Sequence, residues 1–196
     1  MLQVCAQPRL YIQDHFLTVT EIRYVLHLTS DAAALAAGGV TLSDGPAGRR
    51  AELPVPSDPV LKAISKRLDG VTGLVNRRAR SFRFRHYGPG NAHPAHFDNF
   101  QAGDYHLIAT AMMYLSDCTL GGETSFPDAE PDALALEPRA GRLVLWFNHL
   151  TDGSPDTHAY HEAWEVLQGE KITLTEFYFS TLSDCALAPP FVTVMR

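Results

Sequence analysis

Residues 161–171 read His161-Glu-Ala-Trp-Glu-Val-Leu-Gln-Gly-Glu-Lys171, and an apolar run continues from Lys171 to Phe179. The run has the β-branched and aromatic content of a strand, and Gln168-Gly169-Glu170 has the composition of a tight turn. The segment therefore predicts a strand, a turn and an antiparallel return that places Lys171 beside His161. Taken singly, a lysine that reaches solvent and an ordinary strand histidine are the simpler interpretations.

Alternation of apolar and polar residues with a period of two recurs through the second half of the chain. Clusters of Gly, Pro and Asn separate the strands that this alternation predicts. The predicted strands are residues 81–87, 109–115, 142–147, 164–167 and 171–179.

The first eighty residues predict one short strand, at 11–16, and two helices. The first helix is predicted from Thr20-Glu21 to Gly38-Gly39, and the second begins at Asp58-Pro59 and is closed by Gly70 and Gly73. Residues 43–59 are rich in Gly, Pro, Asp and Arg, which predicts a surface loop or, less often, a mobile lid. Two helices followed by a run of strands predict an α+β, mainly β protein with its N-terminal helices packed on one sheet.

The composition is that of an ordinary soluble globular protein, with 45% hydrophobic and 19% charged residues among 196. Residues 1–196 are therefore expected to form one domain, with helical support over 18–75 and a β core over 80–182. The net charge of -6 argues against a nucleic-acid partner, although five arginines cluster between Arg77 and Arg85.

Three scattered cysteines without a C-x-x-C spacing suit a reducing compartment. Residues 1–10 lack the apolar run of a signal peptide, and no stretch approaches the length of a membrane span. A cytoplasmic protein with no membrane partner is expected, and the sequence leaves its oligomeric state open.

The motif His96-Phe-Asp98 follows a glycine turn at residues 88–90 and offers two metal ligands at positions i and i+2. On an extended segment these two side chains point the same way, so both can reach one ion. With nine histidines in the chain such a pair arises readily by chance, and a third ligand must support it.

The candidates for the third ligand are His149, His158 and His161, and His161 is preferred because Lys171 follows it. Two histidines and one carboxylate that leave open positions are diagnostic of non-haem Fe(II) oxygenases. A lysine on the neighbouring strand can hold a carboxylate several ångströms from the iron.

Further motifs occur in a fixed order over nearly the whole chain. They are Gln13-Asp-His-Phe-Leu17, Asp58-Pro-Val60, Val71-Thr-Gly-Leu74, Tyr87-Gly-Pro-Gly90, Met113-Tyr-Leu115, Gly121-Gly-Glu-Thr-Ser-Phe-Pro127 and Pro138-Arg-Ala-Gly-Arg-Leu-Val-Leu-Trp-Phe-Asn148. With the metal motif and the 161–171 segment, this set resembles the prolyl 4-hydroxylase branch of the Fe(II)/2-oxoglutarate-dependent dioxygenases. The resemblance implies a double-stranded β-helix, a distorted jelly roll of the cupin-like type.

The resemblance also implies the cofactors and their ligands. His96, Asp98 and His161 would hold Fe(II), Lys171 would pair with the far carboxylate of 2-oxoglutarate, and Tyr114 would add a hydrogen bond to it. Tyr87, which matches a tyrosine that faces the family's cavity, is the third residue expected to bind the cofactors. With O2 as the oxidant, the implied reaction hydroxylates an unactivated C–H and releases succinate and CO2. Because Asp98 is present, hydroxylation is expected rather than halogenation.

Two departures from the family pattern concern the substrate. His93 stands where the family usually has a tyrosine, three residues before the first ligand, and Glu165-Val166 replaces its Pro-Val. Neither departure removes a metal ligand. Trp164 is a candidate for the mouth of the substrate site, with ordinary packing as the alternative. Asn99 and Phe100 either contact substrate or end a strand.

If Tyr87 faces the cavity, Arg83 and Arg85 share its face of the strand 81–87. Arginine is suited to bidentate recognition of a carboxylate, which suggests a free carboxylate substrate such as an amino acid. The alternative is that both arginines form salt bridges with nearby acids at the rim.

Three functions therefore remain open from the sequence. The first is hydroxylation of a prolyl or other residue in a peptide, and the second is oxidation of a free amino acid or another small carboxylate-bearing metabolite. The third is a non-catalytic β-helix binding module, against which the complete ligand set argues. An open channel beside the iron would favour a peptide, and a closed pocket with arginine would favour a metabolite.

Overall fold

The structure is a computed structural model that describes residues 1–30, 35–36, 40–45, 47–98, 100–187, 189–190 and 193–194. Its α-helices are α1 (Val19–Ser30) and α2 (Pro59–Thr72). Its strands are β1 (Leu2–Cys5), β2 (Leu10–Gln13), β3 (Ser43–Gly45), β4 (Gly48–Pro54), β5 (Ser81–Tyr87), β6 (His93–His96), β7 (Gln101–Ala102), β8 (Tyr105–Tyr114), β9 (Leu120–Gly121), β10 (Thr124–Phe126), β11 (Leu134–Leu136), β12 (Leu143–Phe147), β13 (His161–Ala163), β14 (Val166–Gln168), β15 (Lys171–Ser180) and β16 (Thr193–Val194).

Both helices begin at side-chain caps that the sequence supplies. Before α1, the Thr18 hydroxyl accepts from the Glu21 amide while the Glu21 carboxylate accepts from the Thr18 amide, which is a capping box. The Asp58 carboxylate accepts from two amides of the first turn of α2, and Gly73 ends that helix with φ at 71°. The predicted end of the first helix at Gly38-Gly39 lies outside the described residues. Neither helix of the described part is long and apolar enough to cross a membrane.

Two sheets carry most of the fold. In the described residues the larger sheet has the strand order β16-β1-β2-β12-β8-β15-β5-β4-β3, with β7 paired to β8. The smaller sheet has the order β11-β10-β13-β6, and β14 pairs with β9 in a separate short ribbon. Nearly all of these pairings are antiparallel, as the alternating pattern of the sequence predicts.

The two helices pack on one face of the larger sheet, as predicted. Apolar residues of α1 and α2, such as Val25 and Ile64, form one buried cluster with Phe82, Phe84 and Leu174 of the sheet. The opposite face carries a second buried cluster, which includes Tyr114 and Trp146 together with Phe126 of the smaller sheet. The larger sheet is therefore covered on one side by helices and on the other by the smaller sheet.

The prediction of a loop at residues 43–59 is wrong. Residues 43–45 and 48–54 form the hairpin β3–β4, and β4 extends the larger sheet by pairing with β5 from Arg49↔His86 to Pro54↔Ser81. Ala51 and Leu53 point into the core while Glu52 is exposed, which is the alternation of a strand. That alternation is too short to stand out among the Gly, Pro and Arg around it.

The predicted hairpin between residues 164–167 and Lys171 is also wrong, although Val166 and Leu167 do lie in a strand, β14. His161–Ala163 belongs to the smaller sheet, Val166–Gln168 pairs with Leu120–Gly121, and Lys171–Ser180 lies between β8 and β5 in the larger sheet. β15 pairs with β5 at six positions and with β8 at eight, which offers far more hydrogen bonds than a three-residue hairpin. His161 and Lys171 therefore lie on different sheets that face each other.

Candidate active site

Three side chains converge between the sheets at the end of β6 and the start of β13. His96 and His161 are paired residues of neighbouring strands, and Asp98 follows β6 by two positions. The His96 Nε2 lies 3.5 Å from Asp98 Oδ1, and the His161 Nε2 lies 3.8 Å from Asp98 Oδ2. One ligand atom from each residue lies within 4.8 Å of the other two. The structure thus brings together the three residues that the sequence proposes as metal ligands.

Backbone and side-chain hydrogen bonds hold these three groups in place. The Nδ1 atoms of His96 and His161 each lie 2.9 Å from a carbonyl oxygen, of Pro94 and Ala159 respectively. A carbonyl can only accept, so we assign the proton to Nδ1, which leaves the lone pair of Nε2 free for a metal. Thr110 donates to Asp98 Oδ2 at 2.8 Å, which fixes the carboxylate from behind.

Charge and burial set the protonation of the cluster. Burial disfavours the ionised form of Asp98, but hydrogen bonds from His96 and Thr110 and the nearby His161 outweigh it and lower the pKa of this carboxyl. Burial lowers the pKa of His161 despite the attraction of Asp98. A neutral imidazole and an ionised carboxylate are the forms that bind a metal.

The donor set fits a divalent first-row transition metal. Two imidazole nitrogens and one carboxylate oxygen approach a common point from one side, which leaves other coordination positions open toward the cavity. Carbonyl partners on the outer nitrogens of both histidines are the usual support of such ligands. These residues could hold Fe(II) without a change of fold.

Lys171 reaches the same cavity from the opposite sheet. Its side chain is only 1% exposed, and its Nζ donates to Thr124 Oγ1 at 2.9 Å. No carboxylate of the described residues lies within ion-pair distance, and burial lowers the pKa of Lys171 to about 7. A buried ammonium without an ionic partner is costly. The cavity therefore offers one strong site for an anionic group.

Thr124 connects Lys171 to Tyr114. The Thr124 Oγ1 accepts from the Tyr114 hydroxyl at 2.7 Å as well as from Lys171. With both lone pairs engaged, the Thr124 hydroxyl has only its proton left to offer, and Thr124 lines the cavity. Tyr114, which is fully buried, supports the site through Thr124 and does not line the cavity directly.

The cavity contains about 740 Å³ of space when its open mouth is included. Besides the metal cluster and Lys171, its lining includes the predicted residues Arg83, Arg85, Tyr87 and His93. The ring of His93 lies 4.4 Å from that of His96. The face of β5 that the sequence assigns to the cavity is therefore the face that lines it.

Trp164 is 45% exposed and is not part of this lining. Its indole nitrogen donates to Glu162 at 2.8 Å, and Glu162 does line the cavity. Its proposed place at the substrate mouth stays a prediction. The other candidate ligands lie elsewhere: His158 contacts Asp156 and Glu130, and His149 packs against His106. Asn99 lies outside the described residues, and Phe100 lines the cavity.

Three supporting residues were not singled out from the sequence. Thr110 bonds to Asp98, Asn148 donates to Thr110 Oγ1 at 3.2 Å, and Thr124 bonds to Lys171. Thr110 and Thr124 are buried hydroxyls inside apolar strands, where a polar side chain needs a partner. The need of a buried hydroxyl for a hydrogen-bond partner could have pointed to these residues from the sequence, although it does not identify the partner.

Comparisons with known proteins agree with this geometry. A sequence model of the 2OG-Fe(II) oxygenase superfamily matches residues 82–179. Prolyl 4-hydroxylase 2 of Arabidopsis thaliana is 28% identical over 204 residues, covering 89% of this chain and 68% of that protein. The viral collagen prolyl hydroxylase of Paramecium bursaria Chlorella virus-1, solved with 2-oxoglutarate, superimposes with a TM-score of 0.69 at 18% identity, over 91% of this chain and 99% of that one.

A prolyl hydroxylase of Trichoplax adhaerens, solved with a peptide fragment of the hypoxia inducible factor oxygen degradation domain, gives a TM-score of 0.56 at 18% identity. The match covers 87% of this chain and 83% of that one. These likenesses confirm the predicted jelly-roll fold with its helical support. The family match spans half of the chain and contains all three clustered ligands and Lys171. The chain therefore belongs to the 2OG-Fe(II) oxygenase superfamily, a family of Fe(II)- and 2-oxoglutarate-dependent enzymes.

Proposed function

We propose that this chain hydroxylates an unactivated C–H of a prolyl residue or of a free amino acid, with release of succinate and CO2. The observation that carries the proposal is the metal cluster of His96, Asp98 and His161 facing the buried ammonium of Lys171 across one cavity. Prolyl 4-hydroxylases among the relatives favour proline as the target. We further propose that residues 1–196 act as one dioxygenase domain.

Each group of the chain has a proposed role. His96, Asp98 and His161 hold the metal, and Lys171 and the Thr124 hydroxyl bind the far carboxylate of 2-oxoglutarate, with Tyr114 behind Thr124. When bound, Fe(II), 2-oxoglutarate and O2 supply the oxidation of the C–H bond. Thr110 keeps Asp98 oriented, and the ring of Trp146 packs against that of His161.

An oxygenase that acts on another small carboxylate-bearing metabolite is the second candidate, because Arg83 and Arg85 line the cavity. The T. adhaerens enzyme with its bound peptide favours a peptide instead. A non-catalytic binding module is disfavoured by the complete ligand set. A cytoplasmic location is supported by three free cysteines, of which Cys5 and Cys185 are buried.

Succinate release across a panel of substrates tests the proposed reaction. The anaerobic enzyme with Fe(II) and 2-oxoglutarate should first show the weak charge-transfer band of the chelate. Turnover should then rise above the substrate-free rate with proline peptides or free amino acids, and the product should be heavier by one oxygen atom. No charge-transfer band in the wild-type protein would contradict the cofactor assignment, and a band without stimulation by any proline compound would contradict the substrate class.

The affinity for 2-oxoglutarate should fall as the pH rises from 7 to 9. In the free protein the pKa of Lys171 is about 7, so the amine is increasingly neutral above that pH. A bound carboxylate favours the charged form and raises this pKa, so binding must take up a proton. The dissociation constant should therefore rise toward about tenfold per pH unit in this window.

Calorimetry in buffers of different ionisation enthalpy, with anaerobic Fe(II) enzyme, measures this proton uptake. Lys171→Arg is the matched control, because a guanidinium stays charged over the whole window and its variant should show little pH dependence. Equal proton uptake by the two proteins would assign the titration to another group.

A further inference from the structure

Arg83 and Arg85 are the two arginines of the cavity lining, and neither forms an ion pair with an acidic side chain of the described residues. Six arginines of the described residues lie within 4.0 Å of a carboxylate: Arg49, Arg67, Arg77, Arg80, Arg139 and Arg142. In the same described residues, neither Arg83 nor Arg85 has a carboxylate within that distance. Neither residue therefore forms the salt bridge that the sequence leaves open as an alternative, although Glu52 lies opposite Arg83 on β4 and its charge favours the charged form of Arg83.

Both guanidinium groups are half-buried in the cavity wall rather than free in solvent. Burial lowers the pKa of Arg83, and the charges of Glu52 and Asp98 do not fully offset this effect. The Glu52 carboxylate accepts from the Ser81 hydroxyl at the outer edge of the sheet. Arg83 and Arg85 are two cations at alternate positions of one strand, so an anion between them would reduce their mutual repulsion.

Aromatic rings hold Arg83 in an orientation suited to an anion. Its guanidinium lies 4.3 Å above the ring of Phe177 and 5.7 Å from that of Phe100. Stacking occupies the face of the guanidinium and leaves the N–H groups at its edge free to donate in plane. Phe100 is 46% exposed and stands at the cavity wall, so it shields this contact from water.

The position of the pair relates it to the metal cluster. Arg83 and Arg85 are alternate residues of β5, about 6.7 Å apart along the strand, and face the same way. Arg85 is close enough to His93 and His96 for its positive charge to disfavour their protonated forms. The negative charge of Asp98 in turn favours the charged form of Arg83. A carboxylate held by the pair would leave the adjoining carbon atoms of its molecule beside the metal ligands.

The pair is also distinct from the anion site at Lys171. On β15, Lys171 lies opposite Tyr87, whereas Thr173 lies opposite Arg85 and Thr175 opposite Arg83. Along the sheet the three cations are therefore arranged in the order Lys171, Arg85 and Arg83. The inner cation suits 2-oxoglutarate, and the outer two remain for a second anionic molecule.

We propose that Arg83 and Arg85 form a carboxylate-recognition site that selects an anionic substrate and sets its position at the metal. This inference rests on the proposed function. The carboxylate has two possible sources, the α-carboxylate of a free amino acid or the acidic side chain of a residue next to the target in a peptide. Glu162 is the remaining acid of the lining, and its carboxylate is engaged by the Trp164 indole.

Matched pairs of compounds test the site and separate the two sources. One pair is L-proline and L-prolinamide, and the other is a blocked peptide with Glu or Gln beside a proline. For at least one pair, the wild-type enzyme should prefer the carboxylate member by about 10- to 100-fold in kcat/KM, the value of one or two charged hydrogen bonds. Arg83→Gln and Arg85→Gln should each reduce that preference several-fold, mainly through KM.

Arg49→Gln is the control, because Arg49 lies on the opposite face of the neighbouring strand, paired with Asp44, and lines neither the cavity nor its mouth. It should keep the full preference. Binding of the same compounds to the anaerobic holoenzyme, followed by calorimetry, gives a readout that does not depend on turnover.

Equal binding and turnover of both members of each pair by the wild type would overturn the proposal, as would an undiminished preference in both arginine variants. A rise in the 2-oxoglutarate KM of the variants with no change for the substrate would assign the arginines to the co-substrate instead. The charge-transfer band separates these results from failure of the proposed function. With the band present and no carboxylate preference, only the arginine site is refuted.

Discussion

Replacing His161 with alanine is expected to abolish both metal binding and turnover. His161 supplies one of three ligand atoms, and it is the one ligand that comes from β13. With only His96 and Asp98 left, the site loses its facial arrangement and much of its affinity. Succinate release should fall by at least about 1,000-fold, because residues that act as a unit lose nearly all function when one is removed.

His158→Ala is the matched control for this variant. His158 lies three residues earlier, contacts Asp156 and Glu130, and does not line the cavity. It should keep the charge-transfer band and near-normal turnover. Metal content after dialysis, and the anaerobic absorption spectrum, distinguish a lost ligand from a misfolded protein. Retention of the band in His161→Ala, or its loss in His158→Ala, would show that the wrong histidine is assigned.

Replacing Lys171 with methionine should raise the dissociation constant of 2-oxoglutarate by at least about 30-fold, since removal of one partner from a buried charge pair costs roughly 2–5 kcal/mol. Metal binding should persist, because Lys171 lies on the opposite sheet from the ligands. Titration of the charge-transfer band with 2-oxoglutarate measures the effect directly. Lys66→Met, on the exposed face of α2, is the control and should bind as the wild type does.

The pH dependence of the free energy of unfolding provides an independent check on the low pKa of Lys171, by comparison of the wild type with Lys171→Met. Because the folded pKa of Lys171 lies below that of an unfolded lysine, the unfolded chain binds more protons between pH 7 and 10.5. Stability of the free wild-type protein should therefore rise with pH across this window, and the methionine variant should lack that rise. In the binding experiment, a dissociation constant of Lys171→Met for 2-oxoglutarate within threefold of the wild-type value would show that Lys171 is not part of the co-substrate site.

Local patterns in the sequence predict orientation well. On β5 the alternation of Phe82 and Phe84 with Arg83 and Arg85 assigns one set to the core and the other to the cavity, and both assignments hold. The cap at Asp58 likewise locates the start of α2, and of the two glycines predicted to close this helix Gly73 ends it while Gly70 lies inside it. These features depend on neighbours within a few positions, which a single sequence contains.

The same local patterns could not predict which distant strands pair with each other. His161 and Lys171 are close in sequence, so a hairpin was the natural prediction, yet each joins a strand far away along the chain. The hairpin β3–β4 was missed for a related reason, because its core-facing residues are few and its partner β5 begins nearly thirty residues later. The supporting hydroxyls of Thr110 and Thr124 depend on these same distant contacts.

The separation of His161 and Lys171 onto facing sheets has a mechanical consequence. In the proposed complex, residues of the smaller sheet would hold most of the iron ligands, and Lys171 of the larger sheet would hold the far carboxylate of 2-oxoglutarate. The iron and 2-oxoglutarate together would then connect the two sheets. Each ligand would then resist opening of the sheets, and the two together should protect β6 and β13 from hydrogen exchange more than either alone.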